Sequence, residues 1–108
     1  MQYTQIEWNV LISAFPPGKV VSGTVIECHQ FGVFVQLDDL PNVTALFELI
    51  HFKINELSPT HQIQFPIDYP AIGERINAKI LAWCLRVKDV RITQLSHLQG
   101  HDNTTTVD

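Results

Sequence analysis

Positive charge is scarce in this 108-residue chain: seven Lys and Arg stand against eleven Asp and Glu, a formal net charge of −4 at pH 7. A nucleic-acid binder recognisable from bulk charge is therefore excluded, and any such reading has to rest on local patterning. Cysteine is scarce as well. Cys28 and Cys84 lie far apart on strand-like segments and form no C-x-x-C pair, so both read as reduced, half-buried small apolar groups. No apolar run approaches the ~20 residues of a membrane span, and the N-terminus has neither the basic start nor the small-residue cleavage site of a signal peptide. The expected compartment is the cytoplasm, with no membrane contact. The length fits one domain and leaves no room for two independent cores, which excludes a multi-domain enzyme.

Catalytic and metal-binding patterns are missing too. There is no phosphate-cradling glycine loop. His97 and His101 are four apart and Asp102 follows, but they lie where the chain leaves its folded part, and zinc needs three or four converging ligands. Cys28 and His29 are neighbours, which point to opposite faces of a strand, and no acid supports them. The expectation is a non-enzyme with no metal and no cofactor. The tripeptides Asn42-Val43-Thr44 and Asn103-Thr104-Thr105 match the glycosylation pattern without the secretory signal that would give the match meaning.

What is present is a folding composition, 45% apolar and 17% charged, in two regimes. Residues 1–17 read as a short amphipathic helix. Thr4-Gln5-Ile6-Glu7 has capping-box spacing, Trp8, Leu11, Ile12 and Phe15 recur at helical intervals, and Pro16-Pro17-Gly18 ends the run. From Lys19 the period shifts to two, and five strands follow at 19–28, 31–38, 43–49, 75–84 and 89–95. Gly23 marks a sharp bend in the first. In the second, Val33, Val35 and Leu37 share one face and Phe34 and Gln36 the other; a bulge at Gly32 would re-aim Phe31 onto the Phe34 face. The third sets Ala45, Phe47 and Leu49 inward, with Thr44, Leu46 and Glu48 outward. The fourth alternates Ile76, Ala78 and Ile80 with Asn77, Lys79, Leu81 and Trp83, and the fifth sets Val90 and Ile92 against Arg91 and Thr93. A long connection, 50–74, separates strands three and four, and connections of that length are usually functional or carry a short helix. Residues 99–108 are polar and aperiodic and read as a disordered tail. The fold class expected is all-β: a five-stranded antiparallel OB-type barrel over 18–98, preceded by the helix.

The segments Gly18-Lys19-Val20-Val21-Ser22-Gly23-Thr24-Val25, Phe31-Gly32-Val33-Phe34-Val35-Gln36-Leu37, Ala45-Leu46-Phe47-Glu48-Leu49, Gly73-Glu74-Arg75-Ile76 and Val90-Arg91-Ile92-Thr93 together resemble the S-one RNA-binding domain, named after a ribosomal protein. The resemblance runs from about Gly18 to Ser96. It implies single-stranded RNA held across one barrel face, with bases stacked on Phe31 and Phe34 and the backbone held by Arg91. At four places the chain departs from the family's pattern, with Ala45, Glu48, Cys84 and Gln94. A carboxylate at Glu48 repels phosphate, so the RNA binding expected is weak or salt-sensitive.

Splitting the net charge sharpens this picture. Between Ala71 and Gly100, Arg75, Lys79, Arg86, Lys88 and Arg91 stand against Glu74 and Asp89, 5 − 2 = +3, which leaves −4 − 3 = −7 for the remainder. Lys79, Trp83 and Arg91 are therefore expected to share a basic and aromatic face with Phe31 and Phe34. The function expected is a non-catalytic module for single-stranded RNA, in translation or RNA turnover. The alternative is an acidic protein-interaction module on the same barrel, an adaptor or an inhibitor that covers a basic partner, docking through Trp8, Leu11 and Phe15 or through the face around Glu48. The apolar face of the helix has a second reading as well, in which Trp8, Leu11, Ile12 and Phe15 plug an open end of the barrel.

Overall fold

The computed structural model describes residues 4–40, 43–84, 86 and 89–96; the expected disordered tail lies outside the described residues. Helix α1 spans Gln5–Ala14, and the strands are β1 (Val20–His29), β2 (Gly32–Leu37), β3 (Thr44–Glu48), β4 (Arg75–Cys84) and β5 (Asp89–Thr93). A 3-10 turn at Leu49–His51 and a single helical turn, α2 (Ile54–Leu57), open the long connection.

The strands close into a barrel in the order β1-β2-β3-β5-β4. Strand β1 serves two neighbours: Val20–Thr24 pair with β4, and Gly23 onward pairs with β2. Gly23 stands where the two ladders overlap. A Cβ there would lie 2.6 Å from the Gln36 carbonyl oxygen and 2.7 Å from Val35 Cγ1, so the bend closes only around a bare backbone. The expected all-antiparallel pairing needs one correction. The β3–β5 seam is parallel, through Ala45 opposite Val90 and Leu46 opposite Arg91. Five strands cannot alternate direction all the way round a closed ring, so one seam must run parallel. Inward residues Val25, Val33, Val35, Ala45, Phe47, Ile80, Val90 and Ile92 fill the interior.

Helix α1 begins on the expected capping box: the Thr4 hydroxyl accepts from the Glu7 N–H, and the Glu7 carboxylate accepts from the Thr4 N–H. Trp8 is buried, and Leu11 and Phe15 pack against the core. These residues seal the barrel, so the face expected to dock a protein partner through Trp8, Leu11 and Phe15 is already occupied. Trp83 completes the seal. Its Nε1–H donates to the Phe15 carbonyl at 2.9 Å, and its ring meets Trp8 edge to face at 5.9 Å. The alternation that set Trp83 outward breaks at a bulge at Leu81, between the pairs Ile80–Ile92 and Ala82–Arg91, which moves Trp83 onto the row of buried Val90.

The connection is pinned in several places. Phe52 packs on Phe47 and Tyr69, Tyr69 on Phe65, and the Tyr69 hydroxyl donates to the Gln30 carbonyl in the β1–β2 turn. The buried His51 ring pairs with Thr93 Oγ1 at 3.0 Å and joins the 3-10 turn to β5.

Candidate nucleic-acid interface

Positions on the outer face of all five strands line up in one row, with Leu46 buried within it. Glu27 of β1 pairs with Phe34 of β2, Phe34 with Leu46 of β3, Leu46 with Arg91 of β5, and Arg91 with Ala82 of β4. Phe31 joins this row by a different device from the one expected. Gly32 carries no bulge; the shift lies in β1 between Val25 and Glu27, and Phe31 occupies the turn between the paired residues His29 and Gly32. Gly32 makes the turn possible, with φ at +151° and the Phe47 carbonyl oxygen only 2.4 Å from where a Cβ would sit.

Three rings meet at this end of the hairpin. His29 stacks on Phe31 with centroids 5.1 Å apart and planes 3° from parallel, and Phe34 meets both edge to face, at 5.5 and 5.9 Å. Phe31 is 50% exposed. Glu27 Oε1 holds His29 Nε2 at 2.8 Å and so fixes the plane of the stack. His29 was missed in the sequence because it was weighed only as a neighbour of Cys28. The available signal was its place at the strand end, one turn away from Phe31.

Arg91 reaches the row as expected, but between carboxylates. Glu48 Oε1 lies 3.6 Å from its NH1, and Asp89 Oδ1 lies 3.6 Å from its Nε. Both contacts are longer than hydrogen bonds, and the buried Asp89 Oδ1 and Arg91 Nε have no hydrogen-bond partner among the described residues. Burial pushes the Asp89 carboxyl above the usual carboxylate range, against the pull of Arg91. The expected basic edge is further diluted by Arg75, whose guanidinium makes a bidentate pair with Asp38 at 2.6 and 2.7 Å and holds that carboxyl below its ordinary range. Arg75 and Arg91 of the +3 segment are thus met by Asp38 and Glu48 of the −7 remainder.

Lys79 and Trp83 do not reach the ring cluster. Trp83 faces α1, as described above. Lys79 pairs with Val20 and Thr93, and with Lys53, Asn77 and Gln94 it lines a shallow groove of about 340 Å³. Its Nζ reaches the Ser96 carbonyl at 3.4 Å. No group of three or more His, Cys, Asp or Glu side chains able to hold a metal exists among the described residues.

A small closed five-stranded barrel with a short N-terminal helix defines the OB class of fold. The model of the S1 RNA binding domain matches residues 14–91, and the chain belongs to that family. It is similar to part of a 4-hydroxy-3-methylbut-2-enyl diphosphate reductase of Clostridium acetobutylicum, 41% identical over 78 residues that make up 72% of this chain and 11% of the reductase. Among solved structures it resembles a chain of an a/eIF2alpha-aDim2p-rRNA complex from Pyrococcus horikoshii, at TM-score 0.59 and 22% identity over 72% of this chain and 43% of that one. It also resembles Mycoplasma genitalium RNase R in complex with ribose-methylated single-stranded RNA, at TM-score 0.54 and 21% identity over 83% of this chain and 14% of the enzyme. The chain spans less than half the length of each of these proteins, and the structural likenesses concern the fold.

Proposed function

We propose that this barrel binds single-stranded RNA through its outward aromatic row, without catalysis, as a module of translation or RNA turnover. The observation that carries the reading is the cluster of the exposed Phe31 stacked on His29, with the half-buried Phe34 edge-on to both, on a strand row that includes Arg91. Every base offers a π-face, so such rings hold unpaired nucleotides with little demand on sequence. Family membership supports it, and the two solved structures named above are complexes that contain RNA. With Glu48 and Asp89 on either side of Arg91, stacking supplies most of the affinity and phosphate contact little. Affinity for a single strand then falls by only about three- to sevenfold between 50 and 200 mM salt, the slope for one or two phosphates neutralised.

The test is a fluorescence-anisotropy titration of labelled oligouridylate at two salt concentrations. Binding at low salt that weakens at least about fivefold in Phe34→Ala is expected. No binding at low salt, or a Phe34→Ala variant that binds as the parent does, contradicts the reading. These two carboxylates favour a second reading, an acidic surface for a basic protein partner; under it, oligouridylate does not bind at all.

A further inference from the structure

A second exposed ring is connected to the cluster through Tyr69, on an element that the family resemblance does not assign to RNA contact. Phe65, in the connection between β3 and β4, is 44% exposed and packs edge to face on Tyr69 at 5.0 Å. Tyr69 in turn donates its hydroxyl proton to the carbonyl of Gln30, the residue before Phe31. The two exposed rings are therefore linked through one tyrosine and one hydrogen bond. Ile67 and Ile72 of the same connection and Ile26 of β1 are exposed as well.

Phe65 is held rather than loose. Asp68 Oδ2 accepts from the Gln64 N–H at 2.8 Å and pairs with His61 Nε2 at 2.9 Å, while the Asp68 N–H donates to the Gln64 carbonyl and the Tyr69 N–H to the Pro66 carbonyl. At the far end, the Gly73 N–H donates to the Val25 carbonyl and the Val25 N–H to the Glu74 carbonyl, so the segment is fastened to β1. A ring fixed this way loses little conformational freedom when a base stacks on it, and preorganisation of that kind raises affinity. Its free side is unfavourable in water unless something covers it.

We propose that Phe65 is a further base-stacking platform, which extends the RNA path from the Phe31–Phe34 cluster across the connection past Tyr69. The inference rests on the RNA reading above and adds a length requirement to it. A strand long enough to leave the barrel face covers Phe65; a strand confined to the cluster does not. Sites on barrels of this type span about 4–16 nucleotides, so both lengths are within the range of the fold.

The experiment compares 4-nucleotide and 12-nucleotide labelled oligouridylates on the parent protein, Phe65→Ala, Phe65→Leu and Phe34→Ala, with thermal melts to confirm that each variant is folded. Phe65→Leu keeps the apolar contact with Tyr69 and removes the π-face. Both Phe65 variants should weaken the 12-mer at least about fivefold and leave the 4-mer unchanged, while Phe34→Ala weakens both lengths. The proposal is overturned if Phe65→Leu binds the 12-mer as tightly as the parent does, or if the Phe65 variants weaken both lengths equally. A parent protein that binds neither oligonucleotide overturns the RNA reading itself; a parent that binds both with Phe65 silent overturns only the extension.

Discussion

Glu48 decides how much work Arg91 can do. It stands on the outward side of β3, two residues beyond Leu46, and its carboxylate turns back onto the guanidinium that Leu46 faces. Neutralising it removes phosphate repulsion and frees one side of Arg91. Glu48→Gln should therefore tighten oligouridylate binding about two- to fivefold at low salt, as expected from the ~0–1 kcal/mol of a half-exposed ion pair. An anisotropy titration that finds unchanged or weaker binding contradicts this placement of charge. Asp89 acts with the opposite sign on stability. Because burial raises its carboxyl pKa in the folded state, the fold holds that proton more tightly than the unfolded chain does, and stability declines as pH rises past the ordinary value of 3.8. Asp89→Asn should flatten that decline, and urea melts at acidic and neutral pH check it. A variant whose stability tracks the parent's across that window shows the carboxyl to be already well solvated. At this scale the sequence displayed the residue types but not their partners. Glu48 and Asp89 are 41 residues apart, and the parallel seam that sets them on either side of Arg91 leaves no mark in a linear pattern.

Among the elements, periodicity did well where one face is buried and failed where a strand gains a residue. The helix, its cap and its stop follow directly from Thr4, Glu7 and Pro16, and the five strands lie close to their expected bounds because a one-residue slip would bury Lys79 or Arg91. The bulges at Ile26 and Leu81 were invisible, since neither position carries a glycine or any other conformational marker. The first left the joint placement of Phe31 and Phe34 intact, because the hairpin turn does what a bulge at Gly32 was expected to do. The second reversed Trp83 and turned it onto α1, which takes the plugging role of the two that its apolar face offered. The helix is part of the core's closure, through Trp8 against Trp83 and Phe15. Trp8→Ala should accordingly cost about 3–5 kcal/mol in a urea melt while oligouridylate affinity per folded molecule stays the same. A loss of affinity with little loss of stability would instead make α1 part of the binding surface.

For the whole molecule, net charge misled twice. The total of −4 argued against nucleic acid, and the split into +3 and −7 argued for a basic edge. Folding cancels much of that edge: Arg75 meets Asp38, Arg91 meets Glu48 and Asp89, and Lys79 turns to a separate groove with Lys53. What survives is an aromatic surface with little free positive charge, built from His29, Phe31 and Phe34. On the proposed reading the barrel binds by stacking first and by charge second. The direct measurement is a two-dimensional amide NMR titration with oligouridylate. The account predicts the largest shifts at His29 to Phe34, at Leu46 and at Arg91, with the groove residues Lys53, Asn77, Lys79 and Gln94 almost still. Shifts concentrated on that lysine groove, or absent everywhere at saturating RNA, would contradict it.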